Sequence, residues 1–148
     1  MGALADGALS RGGHVIGIIP RFMRELEWGH TALPELRVVE DLAIRKEMML
    51  GESQGVVALP GGSGTFDELL EAITLKRLGL YPHPIVLVDT RSFFKPLVEL
   101  LERSVAERFM DERHLQMWQL VSSHEEVPEA LERAPEWPSE AREFATLL

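Results

Sequence analysis

The chain contains, near its middle, the decapeptide Leu59-Pro60-Gly61-Gly62-Ser63-Gly64-Thr65-Phe66-Asp67-Glu68. It follows a short apolar run at residues 55–59 and precedes residues 66–78, where apolar side chains recur at helical spacing. This order predicts a strand, a glycine-rich turn and a helix. Glycine lets the backbone approach a ligand closely and adopt conformations that a side chain would forbid. The unpaired N–H groups at the start of the helix then make the turn an anion site.

Strand-like and helix-like segments alternate along the whole chain. We predict strands at residues 14–19, 36–40, 56–59, 84–88 and 117–121, and helices at residues 1–10, 42–52, 65–78, 93–108 and 124–132. Residues 21–34 are predicted to form a loop with room for one helical turn. Apolar strands separated by helices are typical of the α/β class. We therefore expect a Rossmann-like, doubly wound parallel sheet of about five strands with helices on both faces.

Composition limits the function classes. The 148 residues are 45% hydrophobic and 26% charged, which is typical of one soluble globular domain. The net charge of −9 argues against partners such as nucleic acid or an anionic membrane. The chain has no cysteine, which fits a cytoplasmic location, and no apolar run near the roughly 20 residues of a membrane helix. Its five histidines lack ligand-like spacing, so we expect neither a metal nor a cofactor.

Charged residues stand at two places where a parallel sheet binds ligands. Arg45 and Lys46 lie near the start of the helix that follows the second predicted strand. Asp67, Glu68 and Glu71 lie in the first turns of the helix that follows the third. Ligands of open parallel sheets bind along the carboxyl edge, where both helices begin. A cation and a carboxylate can therefore meet over a bound phosphate.

Each of these features also has a purely structural interpretation. The sequence Thr65-Phe66-Asp67-Glu68 has the pattern of a capping box, in which Glu68 only accepts from a backbone N–H. The same pattern recurs at Ser123-His124-Glu125-Glu126 with no glycine turn before it. Arg45 and Lys46 equally fit a solvated helix face. The glycine-rich loop alone lacks the lysine of a P-loop.

The motifs taken together are more specific. The segment from Pro60 to Glu68 matches Pro-Gly-Gly-x-Gly-Thr-x-x-Glu, and Arg45-Lys46-Glu47-Met48-Met49 precedes it. This combination resembles the LOG (lonely guy) family of nucleoside 5′-monophosphate phosphoribohydrolases, often labelled lysine decarboxylases. The resemblance extends over residues 1–131. It implies hydrolysis of the N-glycosidic bond of a purine ribonucleoside 5′-monophosphate, AMP-like or cytokinin, to free base and ribose 5-phosphate.

The resemblance also implies roles for individual residues. Arg45 and Glu68 would be catalytic, with Glu68 stabilising an oxocarbenium-like ribose or activating the attacking water. The residues implied to bind substrate are Lys46, Gly61, Gly62, Ser63, Gly64, Thr65 and Glu71. Family members are homodimers or larger, and residues 93–105 or the helix after the glycine turn would supply the interface.

The chain departs from the family pattern in two respects. Leu42-Ala43-Ile44 replaces a Met-His pair, and Thr74-Leu75 and Arg77 replace Thr-Trp and Gln, so the base is not assigned. The family also has a strand and a glycine-rich turn ending in Gly-Leu-Met-Gly, and Met1-Gly2 resembles the end of that turn. We therefore expect residues 1–134 to form one domain that lacks its first strand, followed by a tail at residues 135–148.

Other function classes remain as alternatives. A non-catalytic carrier of a nucleotide or phosphate cofactor needs the glycine turn but not Arg45 and Glu68. A pyridoxal-dependent decarboxylase needs a Schiff-base lysine and a cofactor domain, and this chain is short and has only Lys46, Lys76 and Lys95. A purely structural domain leaves the glycine turn unexplained.

Overall fold

The chain folds as an α/β protein, as its sequence predicts. The computed structural model describes residues 1–26, 33–138 and 140–145, so part of the predicted 21–34 loop lies outside the described residues. The chain divides into two compact units, Met1–Glu52 and Ser53–Leu148. All five predicted strands are present and parallel, two in one sheet and three in another. Within the described ranges, no helix is long and apolar enough to cross a bilayer.

In residues 1–26 and 33–52, the first unit contains a two-stranded parallel sheet and three helices. Its elements are α1 (Gly2–Ser10), β1 (Ile16–Pro20), α2 (Arg21–Glu25), β2 (Glu35–Val39) and α3 (Leu42–Gly51). Strands β1 and β2 pair with Ile18 opposite Arg37. Helix α1 ends where the sequence predicts, because Gly12 takes a left-handed φ of 75° and its N–H donates to the carbonyl of Leu9.

The second unit contains a three-stranded parallel sheet. Its elements are β3 (Val56–Ala58), α4 (Ser63–Arg77), β4 (Ile85–Val88), α5 (Lys95–Ala106), β5 (Gln119–Val121) and α6 (Val127–Glu132). Short 3₁₀ turns lie at Thr90–Ser92, Glu112–Gln116, His124–Glu126 and Ala141–Phe144. Strand β4 lies between β3 and β5, and all four of its residues are buried. The turns that follow the three strands therefore leave the sheet along one edge.

Helix α4 covers part of this sheet because its apolar residues fall on one face. Leu69, Ala72, Ile73 and Lys76 are buried at the spacing of an amphipathic helix. A separate buried cluster comprises Val86, Val88 and Val121 of the sheet and Ala130 of α6. The buried stripe of α4 fixes the direction in which its amino terminus and the glycine turn point.

The carboxyl-terminal residues pack on the far end of α4. Trp137 is 8% exposed, and its Nε1 donates to the carbonyl oxygen of Lys76 over 2.6 Å. Arg77 Nη2 donates to the carbonyl oxygen of Ala145 over 2.6 Å. The ring of Phe144 lies 6.0 Å from that of Trp137, edge to face. These contacts satisfy carbonyl groups and bury aromatic area where the helix ends.

Candidate functional site

The glycine turn, defined as residues 60–65, forms the amino terminus of α4. The helix begins at Ser63, two residues earlier than predicted, with Gly62 as its N-cap in an extended conformation (φ −92°, ψ −160°). The N-cap supplies no side-chain hydrogen bond, and the first intrahelical bond runs from Phe66 N–H to Gly62 O over 3.2 Å. The amide groups of Ser63, Gly64 and Thr65 therefore precede the hydrogen-bonded ladder, at the positive end of the helix dipole.

The glycines of the turn allow other atoms to lie close to the backbone. The prediction that they adopt conformations forbidden to other residues is wrong. Among the described residues, the glycines with positive φ are Gly12 and Gly79, outside this turn. A Cβ atom on Gly61 would lie 2.2 Å from Thr65 Oγ1, so only glycine fits beneath that side chain. A Cβ on Gly62 or Gly64 would meet nothing within 4 Å. These two glycines leave the backbone uncovered on the side open to a ligand.

The structural interpretation of Glu68 as a helix cap is wrong. Because α4 starts at Ser63, Glu68 lies in its second turn and not at the third helical position that a capping box requires. The second box is confirmed: Ser123 N–H donates to Glu126 Oε1 over 3.1 Å, where the turn His124–Glu126 begins. The same sequence pattern thus caps a helix at one place and leaves Glu68 for another role.

Several predicted site residues lie along one side of α4. Thr65, Glu68 and Glu71 are three residues apart and each is half-buried, whereas Asp67 is exposed. Glu68 is therefore placed beside the buried stripe, one turn beyond the amides of the glycine turn. This arrangement is compatible with an anion that the amides bind. The carboxylate would then face the group attached to that anion.

The predicted cationic residues lie on α3, in the first unit. Asp41 begins this helix by accepting from the N–H of Ile44 over 2.9 Å. Arg45 Nε donates to the carbonyl oxygen of Ile18 over 2.9 Å, which anchors the guanidinium beside the middle of β1. Arg45 and Lys46 are half-buried, although the preceding Ile44 is exposed. Within its own unit, α3 thus holds Arg45 in a defined position.

A third segment at the same edge of the sheet, not predicted from the sequence, is a further candidate part of the site. The turn between β4 and α5 contains Arg91 and Ser92, both with left-handed φ, at 58° and 57°. The Phe93 ring that follows is stacked on the Phe66 ring of α4, with centroids 6.0 Å apart and planes 1° from parallel. The signal was the position of Asp89-Thr90-Arg91-Ser92 directly after a buried strand, at the edge where parallel sheets bind ligands.

Parallel α/β units with a glycine turn at a helix amino terminus define the Rossmann-like class of anion-binding proteins. The family is identified by comparison with known proteins. The model of a family described as "Possible lysine decarboxylase" matches residues 1–131. The chain belongs to this family, and its resemblance to the LOG proteins is confirmed by the names of its relatives.

Several curated proteins are similar to the chain. A cytokinin riboside 5′-monophosphate phosphoribohydrolase of Rhodococcoides fascians is 40% identical over 111 residues, which are 74% of this chain and 56% of the relative. A probable enzyme of the same name from Oryza sativa subsp. japonica is 36% identical over 74% of this chain and 49% of the relative. One from Arabidopsis thaliana is 34% identical over 74% of this chain and 52% of the relative.

These matches have a limited extent. The chain spans about half the length of the curated relatives it matches. The names of the relatives describe a hydrolase, whereas the description of the family model names a decarboxylase. The two labels therefore name different reactions for the same family. The residues of the site distinguish between hydrolysis and decarboxylation.

Proposed function

We propose that the protein hydrolyses the N-glycosidic bond of a purine ribonucleoside 5′-monophosphate, such as AMP or a cytokinin riboside 5′-monophosphate. The observation that carries this proposal is the placement of Glu68, half-buried in the second turn of α4 and not used as a cap. The glycine turn offers amides for a 5′-phosphate, and the relatives named as phosphoribohydrolases support the reaction class.

The reaction consumes one water molecule. The oxygen of water forms a bond to C1′ of the ribose, the bond from C1′ to the purine nitrogen breaks, and its electron pair stays with the base. One proton of the water is transferred to the base, which leaves free base and ribose 5-phosphate. In this proposal Glu68 stabilises the oxocarbenium-like ribose, or activates the water by accepting its proton before the base receives it, as carboxylates do in glycoside hydrolysis.

The roles proposed for the other residues follow their chemistry. Gly61, Gly62, Ser63, Gly64 and Thr65 bind the phosphate through main-chain amides and the Thr65 hydroxyl. Arg45 is the second residue proposed to be catalytic, and its bond to the Ile18 carbonyl is the observation that supports a positioned guanidinium. Lys46 and Glu71 complete the substrate contacts.

The deciding experiment separates products after incubation with a panel of nucleoside monophosphates. The wild-type protein should release free base and ribose 5-phosphate from at least one purine nucleotide. Glu68→Gln should lower the rate about 100-fold or more, the range of a lost general base, while nucleotide binding persists. Asp67→Asn is the matched control, because Asp67 is the exposed neighbouring carboxylate on the same helix.

The outcomes of this experiment distinguish a hydrolase from a carrier and from a decarboxylase. Nucleotide binding with no base release by the wild-type protein would indicate a carrier and contradict the proposed hydrolysis. Equal rates for Glu68→Gln and wild type would remove Glu68 from the mechanism. Release of carbon dioxide from lysine with no cleavage of nucleotides would favour the decarboxylase label instead.

We further propose that the protein acts in the cytoplasm as a homodimer or larger homo-oligomer. The lack of cysteine is compatible with a reducing compartment. Leu100 on α5 is 60% exposed and Leu70 on α4 is 40% exposed, so either helix offers apolar area for a second copy. Light scattering on Leu100→Glu and Leu70→Glu tests the two surfaces, and a monomeric wild-type protein would contradict the assembly.

A further inference from the structure

The turn between β4 and α5 combines strained backbone with an exposed cation. Arg91 has φ 58° and ψ 31°, and Ser92 has φ 57°. Left-handed conformations are unfavourable for residues other than glycine, and two in succession persist only where the surrounding structure enforces them. Such residues concentrate at functional sites, so this turn is a candidate for a role in binding.

Hydrogen bonds hold the turn in this conformation. Asp89 N–H donates to the carbonyl oxygen of Val121 over 2.7 Å, which ties the end of β4 to β5. The Asp89 carboxylate accepts from the N–H of Phe94 over 2.6 Å, and Phe94 is fully buried. The charge of Asp89 is therefore engaged at the start of α5, and the turn between these two anchors is fixed at both ends.

The turn lies next to the glycine turn. Ala58 of β3 is paired with Leu87 of β4, and neighbouring strands are about 4.8 Å apart, so the two chains leave the sheet side by side. Beyond the sheet, Phe93 stacks on Phe66 at 6.0 Å, which joins the β4–α5 turn to the first turns of α4. Arg91 is two residues from one ring of this pair, and the amides of the glycine turn precede the other.

Arg91 is available to a ligand. Its side chain is exposed, and in the ranges that the structure describes its guanidinium makes no hydrogen bond or ion pair. The protein carries a net charge of −9, and Asp67, Glu68 and Glu71 place carboxylates in the second and third turns of α4. A cation at this edge would lower the repulsion felt by a dianionic phosphate and add to the attraction of the backbone amides.

We propose that Arg91 is a phosphate-binding residue that neutralises the 5′-phosphate held by the glycine turn. This inference rests on the proposed function, since it assigns one more contact to the same substrate. The guanidinium donates two parallel N–H groups to phosphate oxygens, and the strained turn holds it at the edge of the sheet. Arg91 acts in binding, and the chemistry at C1′ remains with Glu68.

The test is steady-state kinetics of Arg91→Ala with the best substrate of the nucleotide panel. We expect KM to rise about tenfold or more, with kcat changed less than about twofold, because the contact is the same in ground state and transition state. Inhibition by ribose 5-phosphate should weaken by the same factor, whereas inhibition by free base should not change. Arg91→Lys should recover part of the lost substrate affinity, because lysine restores the positive charge without the paired N–H donors of the guanidinium.

The matched control is Arg108→Ala. Arg108 is also exposed and left-handed (φ 65°), but it follows α5 and so lies at the other end of that helix. Its substitution should leave KM and both inhibition constants unchanged. An unchanged KM for Arg91→Ala, or an equal change for Arg108→Ala, would overturn the assignment. Weaker inhibition by free base alone would assign Arg91 to the base and equally overturn it.

The inference can fail independently of the proposed reaction. If the wild-type protein releases no base, titration with inorganic phosphate followed by calorimetry still compares wild type with Arg91→Ala. A weaker phosphate affinity in the variant supports the inference, and equal affinities contradict it. Circular dichroism of both variants confirms that the fold is retained before either result is interpreted.

Discussion

Gly61 lies directly beneath the side chain of Thr65, so that a Cβ atom at Gly61 would come within 2.2 Å of Thr65 Oγ1 and 3.0 Å of Thr65 Cβ. The contact joins the turn before α4 to the third residue of the helix. It fixes the conformation of the glycine turn by steric fit, and positive φ is not required there. Gly61 and Gly62 are neighbours in sequence and yet have different roles.

We expect Gly61→Ala to destabilise the protein by about 1–3 kcal/mol, the usual cost of inserting a methyl group into occupied space. Gly62→Ala is the control, since nothing lies within 4 Å of its added Cβ, and it should change the free energy of unfolding by less than about 0.5 kcal/mol. Urea unfolding of both variants measures the difference. Equal stabilities would show that Thr65 moves aside without cost.

Substitution of Gly62 by a large side chain should affect binding more than stability. Gly62 is exposed, so Gly62→Phe fits the fold, but the ring would cover the amides of the glycine turn. We expect at least a tenfold loss of affinity for a nucleoside monophosphate and little change in the free energy of unfolding, measured by calorimetry and urea titration. Unchanged nucleotide affinity in a folded variant would place the phosphate elsewhere.

The local sequence predicted the elements well, because each is defined by its own residues. Apolar periodicity located every strand, and Gly12-Gly13 correctly marked the end of α1. The pairing of the strands depends on residues distant in sequence, so the division into two sheets was not predicted. The start of α4 was missed because Gly62 replaces the side-chain cap that usually marks a helix amino terminus.

Some features of the candidate site could not be predicted from the sequence. The motif identified the glycine turn and Glu68, but the pattern alone did not distinguish a functional carboxylate from a cap, as Ser123 and Glu126 illustrate. The stacking of Phe66 on Phe93 brings together residues far apart in the chain. The left-handed φ of Arg91 is imposed by the anchors at Asp89 and Phe94, and no propensity of arginine predicts it.

The indole of Trp137 should contribute to stability through one hydrogen bond. Trp137→Phe removes the hydrogen bond from Nε1, while the carbonyl of Lys76 retains its bond from the N–H of Gly79, so the change should cost about 1 kcal/mol more than the matched change Trp118→Phe. Trp118 is also 8% exposed, and within the described residues its indole makes no hydrogen bond. Thermal unfolding compares the variants, and equal costs would show that Trp137 contributes by packing alone.

The stability of the protein should rise with pH above about 8 because of Lys76. This side chain is 2% exposed, its Nζ donates to the carbonyl of His83, and burial lowers its pKa from 10.5 to about 8. Between these values the unfolded chain retains the proton that the folded chain has lost, so the free energy of unfolding increases with pH. The upper limit of this increase is about 3 kcal/mol.

Urea unfolding at pH 7.5, 8.5 and about 9.5 tests the assignment of this increase to Lys76. The increase should be absent from Lys76→Met, because methionine fills the site without a titrating group. Lys95→Met is the control, since Lys95 is an exposed residue of α5, and this variant should retain the wild-type pH dependence. Parallel curves for wild type and Lys76→Met would contradict the assignment.

Substitution of the two left-handed arginines, Arg91 and Arg108, by glycine should stabilise the fold at both positions but weaken nucleotide binding only at Arg91. Glycine adopts φ near 60° without steric cost, so Arg91→Gly and Arg108→Gly should each raise the free energy of unfolding by up to about 1 kcal/mol. Arg103→Gly, inside α5, should instead lower it by about 1 kcal/mol. Of the two stabilised variants, only Arg91→Gly should lose nucleotide affinity. Loss of affinity in both, or in neither, would show that the strain near β4 is unrelated to binding.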